Sequence, residues 1–98
     1  MAQEPITINR LLNEEQMDHK LRLYAKVTIL PGETLAFHEH HGETETYHIL
    51  SGAGEYDDNG KKVPANPGDT FFCKDGGGHG ITCTSKEPLV FMALIILK

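Results

Sequence analysis

From Leu21 onward, short runs with the two-residue period of a β-strand are cut again and again by turn residues, a pattern that only a sandwich or a closed barrel of strands accommodates. Leu21 to Leu30 alternates apolar and polar side chains and is stopped by Pro31-Gly32. Thr34 to His38, Thr44 to Ser51, Gly54 to Asp57, Lys62 to Ala65, Thr70 to Lys74 and Gly80 to Thr84 are further short strands. Asp58-Asn59-Gly60 marks a tight hairpin, because Asn and Gly tolerate the positive φ that such turns require. Asn66-Pro67-Gly68-Asp69 and Ser85-Lys86-Glu87-Pro88 punctuate the later strands. Leu89 to Leu97 is an almost unbroken apolar run, as expected of a strand buried on both faces. Only Asn9 to His19, with Leu11, Leu12, Glu14 and Glu15, has a helical look. The expectation is one all-β domain over residues 1–98, an N-terminal arm over about 1–20 and a barrel over about 21–98.

A domain of 98 residues buries proportionately little surface, so a metal, an oligomer interface or both are expected to stabilise it. Apolar residues make up 39% and charged residues 23%, the balance of a globular protein. Fourteen acidic against nine basic residues give a net charge of -5, and no Lys/Arg cluster offsets it, which argues against nucleic acid. No apolar run has the length to span a bilayer, and the first residues lack the basic and apolar regions of a signal peptide. Cys73 and Cys83 are too few for a disulfide framework. The expectation is a cytoplasmic protein with no membrane partner.

Chemistry concentrates in the histidines, five of the six lying between His38 and His79. Residues two apart in a strand share a face, so His38 and His40 can direct their imidazoles to one point. A turn through His41-Gly42-Glu43 can bring Glu45 over that pair, and His79 arrives from a third strand. Three imidazoles and a carboxylate suit a divalent transition metal (Fe, Mn, Zn, Ni or Cu) better than Ca or Mg. Tyr47 shares the face of Glu45 and is a pocket-lining candidate, whereas His48 points across the sheet. His41 and Glu43 belong to the turn and are expected to be solvated, with a supporting contact to a metal ligand as the alternative. His19 lies outside this region. Gly76-Gly77-Gly78 lacks the Lys-Ser/Thr and helix of a phosphate loop and is expected to be a flexible turn delivering His79.

Gly32-x5-His38-x-His40-x4-Glu45-x6-Gly52 resembles the first motif of the cupin family, and Gly68-x5-Lys74-x-Gly76-x2-His79-x3-Cys83 resembles the second. The resemblance spans Gly32 to Cys83 and departs from the family pattern at Lys74, usually Pro, and Cys83, usually Asn. It implies a jelly-roll β-barrel of two antiparallel sheets, a metal held near one mouth by His38, His40, Glu45 and His79, and pairing of two barrels through a sheet as a homodimer. Ile6-Thr7-Ile8 is short enough to extend a neighbour's sheet edge. Cys83 shares a face with His79 and Ile81, so its thiol is a second pocket-lining candidate, although a free Cys is most often a small buried hydrophobe. Cys73 is expected to be one.

Cupins include enzymes of many kinds and non-catalytic modules, so the fold does not fix the function. The expectation is a divalent-metal-dependent enzyme acting on a small oxygen-rich metabolite, a sugar or a carboxylic acid. The alternative is a small-molecule binding or sensing module with the same metal site. Beyond the four ligands, Tyr47 and Cys83 are the only acid–base candidates.

Overall fold

In the computed structural model, which describes residues 4–98, nine strands form two antiparallel sheets that face each other as a jelly-roll barrel. The elements are β1 (Ile6–Arg10), α1 (Glu14–Met17), β2 (Leu21–Ile29), β3 (Thr34–Glu39), β4 (Glu43–Ser51), β5 (Gly54–Asp58), β6 (Lys61–Ala65), β7 (Thr70–Cys73), β8 (Gly78–Cys83) and β9 (Leu89–Leu97). One sheet has the order β1-β2-β9-β4-β7, the other β3-β8-β5-β6. No helix among the described residues is long and apolar enough to cross a membrane.

Alternation decides which side chains fill the barrel. Ala25, Val27 and Ile29 of β2, Tyr47 and Ile49 of β4, and Leu89, Phe91 and Ala93 of β9 are buried along one face of their sheet. Tyr56, Ala65, Ile81 and Cys83 meet them from the other sheet. Each large apolar side chain so buried contributes roughly 1.5–3 kcal/mol. Gly52 has a φ of +77°, and a Cβ there would stand 2.3 Å from the Pro88 carbonyl oxygen, so no other residue fits the corner after β4.

Three expectations need correction. The helical look of Asn9 to His19 survives only as α1, capped by Asn13, whose side chain accepts from the Gln16 backbone amide while the Gln16 side-chain oxygen accepts from the Asn13 backbone amide. Asn9 and Arg10 instead pair with Lys26 and Ala25, because a short helix with a costly nucleus cannot compete with a sheet edge waiting to be filled. Ile6-Thr7-Ile8 likewise pairs with β2 of the same chain, Ile6 opposite Ile29 and Ile8 opposite Val27. Finally, β9 is buried on one face only: Val90, Met92 and Leu94 on its outer face are half-buried and Ile96 is exposed.

Candidate metal centre

His38 is the penultimate residue of β3, His40 lies just past the end of that strand, Glu45 lies near the start of β4, and His79 is the second residue of β8. The structure brings these four together: one donor atom from each lies within 4.8 Å of all the others. Glu45 Oε1 is 2.8 Å from His40 Nε2, 2.9 Å from His79 Nε2 and 3.6 Å from His38 Nε2. The two Nε2 atoms of His40 and His79 are 3.0 Å apart. His40, Glu45 and His79 are buried, and His38 is partly open to the mouth.

Local backbone geometry explains why His38 faces inward. Leu35 pairs with Ile81 and His38 with His79, so Ala36 and Phe37 together oppose the single residue Gly80. This β-bulge resets the alternation, letting Leu35 and His38, three residues apart, face the same interior. Gly80 makes room for it, since a Cβ there would sit 3.0 Å from both the Leu35 carbonyl oxygen and the Phe37 nitrogen. His40 lies beyond the strand, where its N–H donates to Gly77 O at 2.9 Å and its carbonyl accepts from Gly76 N at 2.7 Å. Gly77 N donates to Lys74 O, and Gly78 N donates to Asn59 Oδ1. The glycine segment expected to be a flexible turn is therefore pinned at each of its amides.

The far ring nitrogens are tied as well. His38 donates Nδ1–H to the Ala36 carbonyl at 2.8 Å, which leaves its Nε2 bare. His40 Nδ1 pairs with Glu43 Oε2, which as a carboxylate oxygen accepts. His79 Nδ1 stands 2.7 Å from the Tyr56 hydroxyl, and in the tautomer with a bare Nε2 it donates to that oxygen. Lone pairs of imidazoles and a carboxylate then point at one another at about the van der Waals limit. That repulsive arrangement requires a cation, or shared protons, among them. Donors about 2.1 Å from one octahedral centre stand about 3.0 Å apart at adjacent positions, close to the His40–His79–Glu45 triangle.

Burial alone would raise the Glu45 carboxyl, but the hydrogen bonds that His38 and His79 donate when protonated, with the charge of the nearby imidazoles, outweigh it and pull it down to about 2. The Glu45 hydrogen bond raises His38, while burial lowers His79. Tyr47 stacks on His79 with ring centroids 4.6 Å apart, and burial, reinforced by Glu45, pushes its phenol well above the ordinary value.

His38, His40 and Glu45 lie on the wall of a cavity of about 230 Å³ that opens between the sheets. Tyr47 lines it, as do Leu35, Phe91 and Ile95. His48 is exposed on the opposite face, against Thr70 Oγ1 at 2.8 Å. Cys83 does not line the cavity: it is packed in the core at the far end of β8, its Sγ 3.4 Å from the Glu87 carbonyl oxygen. Cys73 is likewise buried, and His41 is exposed. Glu43 is the buried first residue of β4 rather than a solvated turn residue, and it holds His40, the alternative expected of it. Sequence reasoning passed over Tyr56, whose contact with His79 depends on β5 pairing with β8, and Arg22, whose Nε lies 2.9 Å from Glu43 Oε1.

Comparison with known proteins agrees with this architecture. Residues 25–95 match the model of the family described as Cupin_2, cupin domain, and the chain belongs to that family. It is 42% identical over 92 residues to a protein of Thermotoga maritima called oxalate-binding protein, covering 94% of this chain and 76% of that one. The crystal structure of a predicted oxalate decarboxylase from Thermotoga maritima superposes with a TM-score of 0.92 at 42% identity, over 95% of this chain and 81% of that one. The cupin domain of Schizosaccharomyces pombe Cnp3, 17% identical, shares the fold with a TM-score of 0.85, over 98% of this chain and 67% of that one.

Proposed function

We propose that the protein binds a divalent transition metal through His38, His40, Glu45 and His79, and through that metal a small chelating carboxylate of the oxalate type. The observation that carries this is the convergence of three imidazole Nε2 atoms on Glu45 Oε1, with the far nitrogens of all three rings held by other partners. Four protein donors leave two positions on a six-coordinate ion, enough for one bidentate carboxylate. When bound, the metal supplies Lewis-acid attraction for such oxygens. The relative named for oxalate binding supports the same ligand class. A cavity of about 230 Å³ is below the roughly 300–1,000 Å³ of sites for drug-sized ligands, which favours an anion of a few atoms over a sugar.

Binding without turnover fits the pocket better than catalysis. Among the described lining residues, the titratable groups besides His38, His40 and Glu45 are Arg22, Glu43 and Tyr47. Glu43 is committed to His40, with only an ionic contact to Arg22, and the Tyr47 hydroxyl holds its proton at neutral pH. The test is titration calorimetry with oxalate on protein stripped of metal and on protein reloaded with Mn or Zn, with product analysis of the same samples. Oxalate binding that requires metal, with the oxalate recovered intact, is the expected result. Metal-independent binding contradicts the proposal, and release of formate or carbon dioxide restores the enzyme alternative.

The outer face of the five-stranded sheet is proposed to meet a second copy of the chain. Phe72, Leu94 and Tyr24 lie along one line across β7, β4, β9 and β2, through the pairings Phe72–Thr46, Thr46–Leu94 and Leu94–Tyr24. Met92 and Ile96 flank that line, and Phe72 is 60% exposed. An apolar stripe of this kind marks an association surface, and a two-fold axis lets one surface cover its own copy.

A further inference from the structure

Alternation along β2 turns Leu23, Ala25, Val27 and Ile29 toward the interior and would turn Arg22 away with Tyr24 and Lys26. The ladder to β9 breaks at this point. Leu21 pairs with Ile96 and Leu23 with Ile95, so Arg22 is an extra residue with no partner. A bulge of this kind re-aims a side chain. Here the guanidinium comes to the rim of the metal cavity, with Nε 2.9 Å from Glu43 Oε1.

Arg22 is the only permanently charged cation among the described residues lining that cavity. Its contact with Glu43 is ionic rather than a directed hydrogen bond, since Glu43 Oε1 receives no hydrogen bond among the described residues. The N–H donors of the guanidinium are therefore not spent on Glu43, and the side chain is 64% exposed. A guanidinium offers a planar fork that matches a carboxylate at two points. A neutral diol or sugar gains nothing from it, whereas an anion with oxygens on the side away from the metal gains a charge-assisted pair.

We propose that Arg22 is the residue that selects a dicarboxylate for this pocket, by pairing its guanidinium with the oxygens of the bound ligand that the metal does not take. The inference rests on the metal-dependent carboxylate binding proposed above. It assigns the bulge in β2 a role in specificity rather than in stability.

Calorimetry on Mn-loaded parent, Arg22→Gln and Arg22→Lys, each titrated with oxalate and with oxamate, separates the possibilities. Oxamate keeps one carboxylate and a second chelating oxygen but replaces the other carboxylate by an amide. Arg22→Gln is expected to keep its fold and its metal, to weaken oxalate by roughly 10–100-fold and to weaken oxamate distinctly less. Arg22→Lys restores part of the loss, because the charge returns without the fork. Equal weakening of both ligands, unchanged oxalate affinity, or loss of metal in Arg22→Gln each overturns the assignment. If the Mn-loaded parent itself binds neither ligand, the carboxylate proposal falls and the role of Arg22 falls with it. If the parent binds both and Arg22→Gln does not discriminate, only the inference about Arg22 falls.

Discussion

At the scale of single residues, the centre is organised by protons as much as by ligand atoms. With its carboxyl pulled down to about 2, Glu45 is ionised near neutrality, so the carboxylate does not limit the proposed metal binding there. The histidines do, because each must be neutral to donate its Nε2. Burial lowers His79, which favours its neutral form, whereas Glu45 raises His38 above its ordinary 6.5. A raised pKa means that metal still competes with a proton on His38 above 6.5, and this competition sharpens as pH falls. Metal affinity is therefore expected to drop as pH decreases through the histidine range, starting above 6.5, and not to wait for the carboxylate range. Metal titrations between about pH 5 and 8 check this. A flat profile there, with loss only near pH 4, would show that the histidines do not control binding. His38, His40, Glu45 and His79 were legible in the sequence because strand parity and two motifs coincide on them. The burial of Glu43 was not, because a residue next to a Gly-containing turn gives no sign that β4 begins with it, although a supporting contact to a ligand stood as its alternative reading.

At the scale of elements, two bulges matter more than the strands they interrupt. The strand boundaries follow from alternation and turn residues, and from β2 onward the observed strands fall close to the expected ones. Bulges have no comparable signature. The expected inward pair His38 and His40 is met only because Ala36 and Phe37 share one partner position opposite Gly80, and Arg22 reaches the cavity only because β2 gains a residue against β9. Long-range pairing decides these features, and a single chain read locally does not contain it. Gly80→Ala is expected to push the β3 bulge outward, since the new Cβ would crowd the Leu35 carbonyl and the Phe37 backbone at 3.0–3.1 Å. The account expects a folded protein, destabilised by about 1–3 kcal/mol, with weaker metal binding because His38 moves. Denaturant melts and a metal titration of the variant measure both. Full metal affinity in Gly80→Ala would mean that the bulge does not position His38.

At the scale of the whole molecule, the apolar run Leu89 to Leu97 carries two messages. Its inner residues fill the barrel, and its outer residues, with Phe72 and Tyr24, leave a face uncovered in the single chain. The proposed second copy of the chain would cover that face, and Phe72→Glu is expected to convert a dimer at micromolar concentration to a monomer in sedimentation equilibrium, with metal binding retained. A parent that sediments as a monomer contradicts this interface. The central claim, however, is that the barrel is completed by a metal, and binding to the folded state alone must raise its stability. The most direct measurement is the melting temperature of stripped parent and stripped His79→Ala, each with and without Mn, Fe, Zn and Ni. With metal at about 100 times its dissociation constant the gain is about 2.7 kcal/mol, or roughly 10–20 °C for a domain of this size. The account predicts a shift of that order for the parent with at least one of these ions, and little or none for His79→Ala. A parent whose melting temperature moves with none of them, or a His79→Ala variant that shifts as far as the parent, would contradict it.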